Sequence, residues 1–158
     1  MRNTFVSYAH RLDQNNADKF RETFGLERNS FSDRSLSNDD LGNLSDQTIK
    51  DNYIRPKIRN SSVTIILIGQ ETGGRWWIDW EIYYSLYKGQ RNERNGLLGI
   101  LIPNKVHWIP KRLEKNLHMG KIIKWPRDKR TLENAIEEVY DLRWNDPKLK
   151  DALRQRNS

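Results

Sequence analysis

Trp77 and Glu81 stand four residues apart in the segment RWWIDWEI, residues 75–82. On a helix that spacing puts an indole and a carboxylate on one face. Ile78, Trp80, Ile82, Tyr83 and Tyr84 surround the glutamate and leave little room for a polar face. Most helical glutamates are simply solvated. One set among aromatic rings at a crevice mouth is instead a candidate for a raised pKa and for chemistry. Spacing alone leaves both readings open. A single carboxylate with stacking rings suits cleavage at an anomeric carbon. Such a reaction passes through an oxocarbenium-like state, which a carboxylate stabilises directly or by orienting sugar hydroxyls. With a good leaving group, little acid catalysis is needed, and one glutamate could suffice.

Other chemistries lack their residues. There is no Gly-rich phosphate loop followed by Lys-Ser/Thr, and no GxGxxG after a strand. The three histidines, His10, His107 and His118, have no ligand spacing, so no metal site is expected. Cysteine is absent, which excludes disulfides and thiolate metal sites and fits a reducing compartment. No Ser-His-Asp arrangement suggests itself. Of the histidines, His10 alone falls on the expected crevice edge, where a plain surface-loop role is at least as good a reading.

The elements that must position Glu81 follow from hydrophobic pattern. Val63, Ile65, Ile66, Leu67 and Ile68 form a continuous apolar run, the mark of a strand covered on both faces. Gly69–Gly74 reads as a loop, and the period then changes to helical from Trp76 to Tyr87. Loops at the carboxyl ends of parallel strands line the ligand crevice, so this loop and helix bring Glu81 to it. A first strand over Thr4–Tyr8 precedes a helix over Ala17–Phe24, capped by Asn15 or Asn16 and stopped by Gly25. Ser30, Phe31 and Ser32 read as a short edge strand, and Asp33-Arg34-Ser35 begins a long polar loop. Ser45 opens a second helix that Pro56 should kink. Leu97–Ile102 and Ile122–Ile123 read as further strands, and Thr131 caps a last helix.

Strands alternating with helices predict an α/β fold, three layers deep, around a mainly parallel sheet of about five strands. The loop after Tyr8, the Asp33 loop and the Glu81 helix should then converge on one edge. The 158 residues read as one domain over 1–144 and a short polar helix or frayed tail over 145–158. No run approaches a membrane span, and MRNTFVSYAH lacks a signal-peptide apolar region, so a cytoplasmic protein with no membrane partner is expected. A formal charge of +7 favours anionic partners. The basic residues are spread out, with denser stretches at 91–94, 111–115, 121–130 and 148–156, and nucleic acid is not the expected partner.

Four motifs in order, FVSYAH at 5–10, FSDRS at 31–35, SSVTIILIG at 61–69 and RWWIDWEI at 75–82, resemble the bacterial TIR-like family of Thoeris antiphage defence. Trp77-Ile-Asp-Trp-Glu81 is also similar to the WxxxE motif of NAD-cleaving TIR domains. The resemblance covers about residues 3–102. It implies a flavodoxin-like TIR fold and NAD+ as substrate, with no other cofactor. Nicotinamide would be released and the ADP-ribose cyclised into a diffusible signal for a separate effector protein. By position, it implies Glu81 as the catalytic glutamate and Trp77 as its packing partner. Ser7, Tyr8, Ala9 and His10 would form one substrate loop, and Asp33 with Ser35 another. A homo-oligomer is compatible with the family. Two other readings use the same residues differently: a non-catalytic TIR adaptor in which Glu81 is structural, and an N-glycosidase acting on nucleosides or nucleotides.

Overall fold

The computed structural model describes residues 1–26, 42–89 and 93–156. Strand β1 (Thr4–Ser7) leads into helix α1 (Gln14–Phe24). A helical stretch follows, made of α2 (Asp46–Ile49), a π-helical turn (Lys50–Ile54) and α3 (Arg55–Arg59). Strand β2 (Val63–Ile68), a 3-10 turn (Thr72–Gly74) and helix α4 (Trp76–Leu86) form the central unit. Then come β3 (Gly96–Leu101), α5 (Lys111–Glu114), β4 (Gly120–Lys124) and α6 (Lys129–Leu142).

The strands pair in the order β1-β2-β3-β4, all parallel. This is the α/β flavodoxin-like architecture expected, but the described residues hold four strands rather than five. The edge strand expected at Ser30, Phe31 and Ser32 lies outside them.

Every residue of β2 is buried because its two faces serve two cores. Ile66 and Ile68 join a cluster with Ile54, Ile58, Trp76, Ile78 and Ile82. Val63, Ile65 and Leu67 join Phe20, Phe24, Leu132, Ile136 and Val139. The sheet is thus sandwiched between α2–α4 on one side and α1 with α6 on the other, which is why the run has no polar alternation. Each such side chain contributes about 1.5–3 kcal/mol by leaving water. Helix α6 approaches so closely that a Cβ on Gly96 would sit 2.6 Å from the Val139 carbonyl oxygen.

Three local expectations shift. Helix α1 starts one turn earlier, with Asp13 as N-cap residue, and Asp13 makes no side-chain cap bond. Its carboxylate is taken instead by Lys105 Nζ at 2.5 Å. Helix α6 is capped by Asp128, whose Oδ1 accepts from the Thr131 N–H at 2.8 Å, so Thr131 is the recipient of the cap. Pro56 does disturb its helix: it has no N–H to return to the preceding turn, and the π-helical turn before it absorbs the misfit.

Residues 145–156 hold no helix. They run as an irregular strap across α4 and α5. Asn116 Nδ2 donates to the Lys148 carbonyl, Arg112 to the carbonyls of Asp151 and Ala152, and Trp80 Nε1 to that of Arg154 at 2.8 Å. The strap is held both by its backbone and by side chains: Leu149 and Leu153 pack against the core, Asp151 pairs with Lys115, and Arg156 donates to the Leu44 carbonyl. No helix among the described residues is long and apolar enough to cross a membrane.

Candidate functional site

Glu81 is one and a half turns into α4, on the side facing the end of β1. Its side chain is 2% exposed. Ser7 Oγ, from the last residue of β1, donates to Glu81 Oε1 at 2.8 Å. Lys57 Nζ, from α3, lies 3.7 Å from Oε2, itself only 1% exposed. The site is therefore a sealed carboxylate held between a hydroxyl and an ammonium. Burial pushes the Glu81 carboxyl up from 4.5 to about 7, while the Lys57 charge and the Ser7 hydroxyl pull it down. Desolvation wins because it opposes the charged form outright, and one counter-charge at this distance offsets it only in part.

Trp77 lies on the same face, as its spacing requires. It is buried, and its Nε1 donates to the Tyr8 carbonyl at 3.4 Å, tying helix α4 to the loop after β1. Tyr8 and Ala9 are buried too. The Tyr8 hydroxyl donates to Gln14 Oε1 at 2.9 Å, and its ring lies 4.5 Å from that of His10. His10, half-buried, meets Trp77 edge-on at 6.0 Å. Ser7, Tyr8, Ala9, His10, Trp77 and Glu81 thus form one contiguous group. Asp33 and Ser35 lie outside the described residues.

The loop carrying Tyr8 and His10 is anchored from below. Arg11 adopts φ 71°, a left-handed conformation unusual for its type. The Leu12 N–H donates to the His10 carbonyl, and the Asp13 N–H to that of Ala9. Asp13 is fully buried beneath Gly69, where a Cβ would meet its Oδ2 at 2.6 Å. Lys105 bonds Asp13 and also reaches the Leu12 carbonyl at 3.4 Å. Three loops at the carboxyl ends of β1, β2 and β3 are thereby fastened around one carboxylate.

Sequence reading missed Lys57, Asp13 and Lys105. Lys57 had a signal: it sits three residues after Ile54 and beside Ile58, on the buried stripe of its helix. A lysine on an apolar stripe asks for a buried acid, and Glu81 is that acid. Asp13 and Lys105 are 92 residues apart and carried no local signal.

On the opposite flank of α4, Asp79 forms a two-pronged ion pair with Arg112, at 2.7 and 3.2 Å, and accepts the Arg154 N–H at 2.9 Å. This pair docks α5 and the strap onto the helix that carries Glu81.

Residues 5–107 match the family model described as Thoeris protein ThsB, TIR-like domain. No curated protein matches the chain. The matched segment is well over half of the chain and includes β2, β3, nearly all of β1 and every residue grouped around Glu81, and the chain belongs to that family.

Proposed function

We propose that this member of the Thoeris ThsB TIR-like family is an NAD+-consuming enzyme that breaks the bond between nicotinamide and ribose. The observation that supports this reading is the Ser7–Glu81–Lys57 arrangement beneath the Tyr8–His10 loop. A carboxyl raised to about 7 exchanges its proton near neutrality. Glu81 is 2% exposed, so the Tyr8–His10 loop has to move for a ribose to reach it; the ionised carboxylate then stabilises the positive charge that grows on the ribose as nicotinamide leaves. Ser7 fixes the direction of the carboxylate, and Lys57 keeps an ionised fraction in an apolar site. Trp77 and His10 supply the rings against which the substrate loop packs. A shielded site of this kind favours capture of the ribosyl cation by a group of the same molecule over capture by water, which gives a cyclic ADP-ribose-type product. That product would carry the signal to a separate effector in antiphage defence.

A specific observation favours a second reading. At 2% exposure and with two polar partners, Glu81 also fits a purely structural role in a non-catalytic assembly module. Wild type and Glu81→Ala incubated with NAD+, with nicotinamide and ADP-ribose products followed by mass spectrometry, separate the two. Nicotinamide from wild type only, with a product one water lighter than ADP-ribose, is the expected result. Equal turnover by both proteins overturns the role of Glu81. Self-association without turnover, in infected lysates as in buffer, establishes the assembly module.

A further inference from the structure

Two of the basic stretches in the sequence, 111–115 and 148–156, come together with Arg75 around one cleft of about 90 Å³. Its lining includes Arg75, Lys111, Arg112 and Arg154 against Asp79 and Asp151. The acids are already answered. Asp79 is bound by Arg112, and Asp151 by Lys115 Nζ at 2.5 Å, from outside the lining. The cations are not all answered. Among the described residues the Arg154 side chain has neither a carboxylate nor a hydrogen-bond partner, and its Nε is buried. The Arg75 Nε is buried and unbonded as well, although the far end of that guanidinium pairs with Glu71. Lys111 is exposed and forms no ion pair among the described residues.

Donors on two guanidinium groups and an ammonium, arranged around a small hollow, are a recognition set for a phosphoryl group. Bulk basicity does not explain the arrangement, because three cations from separate parts of the chain line one hollow whose carboxylates are already paired with other cations.

We propose that this cleft is an anion site that takes a phosphate-bearing ligand through Arg75, Lys111 and Arg154. It is separate from the Glu81 site. Residues 79 and 81 are turned about 200° apart on α4, so the two sites lie on opposite flanks of one helix. Residue by residue, the site joins the turn that starts α4, the start of α5 and the C-terminal strap. A bound phosphoryl group would clamp the strap to the helix that holds Glu81.

The test is isothermal titration of the full chain with sodium pyrophosphate at constant ionic strength. Inorganic phosphate and AMP serve as further probes. Saturable one-site binding is expected. Arg154→Gln and Arg75→Gln should each weaken it about tenfold or more, the loss of one charge-assisted contact, and Arg154→Lys should weaken it less. Lys111→Gln, on an exposed side chain, serves where an arginine variant does not fold. Glu81→Ala should bind pyrophosphate as the wild type does. Absence of saturable binding at millimolar pyrophosphate overturns the proposal. So do unchanged affinity in the glutamine variants and loss of binding in Glu81→Ala. AMP binding more tightly than phosphate assigns the site to a nucleotide, and equal binding assigns it to the phosphoryl group alone. Both of these uphold it.

Discussion

Lys57 Nζ and Glu81 Oε2 face each other at 3.7 Å inside the molecule, on helices α3 and α4 that the sequence separates by a strand. The distance exceeds a hydrogen bond, so the two charges interact mainly through space. That leaves desolvation as the stronger influence on the carboxyl and makes this pair the control point of the site.

The first prediction concerns stability against pH. The Glu81 carboxyl binds its proton more tightly in the folded protein, at about 7, than in the unfolded chain, at 4.5. Its contribution to stability is therefore fully present below about pH 4.5 and is lost as pH rises through about 7. Glu81→Gln removes this titration. The stability of the variant relative to wild type should rise by about 3 kcal/mol between about pH 4.5 and about pH 8. Urea unfolding across that range measures it. A flat difference would mean that the carboxyl titrates normally despite its burial.

The second concerns Lys57. Lys57→Met keeps the length of the side chain and removes the one charge that, among the described residues, holds the Glu81 proton affinity down beside the Ser7 hydrogen bond. The carboxyl should then titrate at a higher pH still. NAD+ turnover at neutral pH should fall about tenfold or more, and its acidic limb should move upward. The pH profile distinguishes this from damage to the fold, which lowers turnover equally at every pH. Ser7→Ala should produce the same displacement to a smaller degree, since it deletes one neutral donor at 2.8 Å.

Much of this site was legible because its parts obey short-range rules. Trp77 and Glu81 share a face by helical spacing, and the unbroken Val63–Ile68 run announced a strand with two covered sides. Glu81 was readable as a candidate because its neighbours are apolar. What resisted reading depends on residues brought together from far apart. Asp13 looks like a helix cap, and its pairing with Lys105 appears only when β1 and β3 lie two places apart in the sheet. The strap was illegible for a different reason: many of its bonds are made by backbone carbonyls, which carry no sequence signal, and it holds only two leucines that pack on the core.

The third prediction tests the fastening of the loop after β1. Lys105→Met leaves Asp13 as a fully buried carboxylate without its ammonium. Breaking a buried pair in this way costs about 3–5 kcal/mol. The loss should appear in urea unfolding, and amides of residues 9–13 should exchange faster with solvent than those of β2. Asp13→Asn with Lys105→Met should recover part of the loss, because the remaining group is neutral. Failure of the double variant to recover would mean that Asp13 acts through shape rather than charge.

The last prediction concerns the strap. Deleting residues 145–158 uncovers Asp79, Arg112 and Trp80 together. Arg112 keeps its pairing with Asp79 but loses the Asp151 and Ala152 carbonyls, and the Trp80 N–H loses the Arg154 carbonyl. Water can replace these acceptors, so the cost is a few hydrogen bonds at about 1 kcal/mol each plus exposure of the ring. The truncated chain should unfold at lower urea, and its tryptophan emission should shift to the red as Trp80 meets solvent. The Glu81 carboxyl should be spared at first, since its partners Ser7 and Lys57 lie on the other flank of α4. A truncated protein with unchanged stability and emission would show that the strap rests on α4 without holding it. Turnover lost in step with stability would show instead that α4 needs the strap to present Glu81.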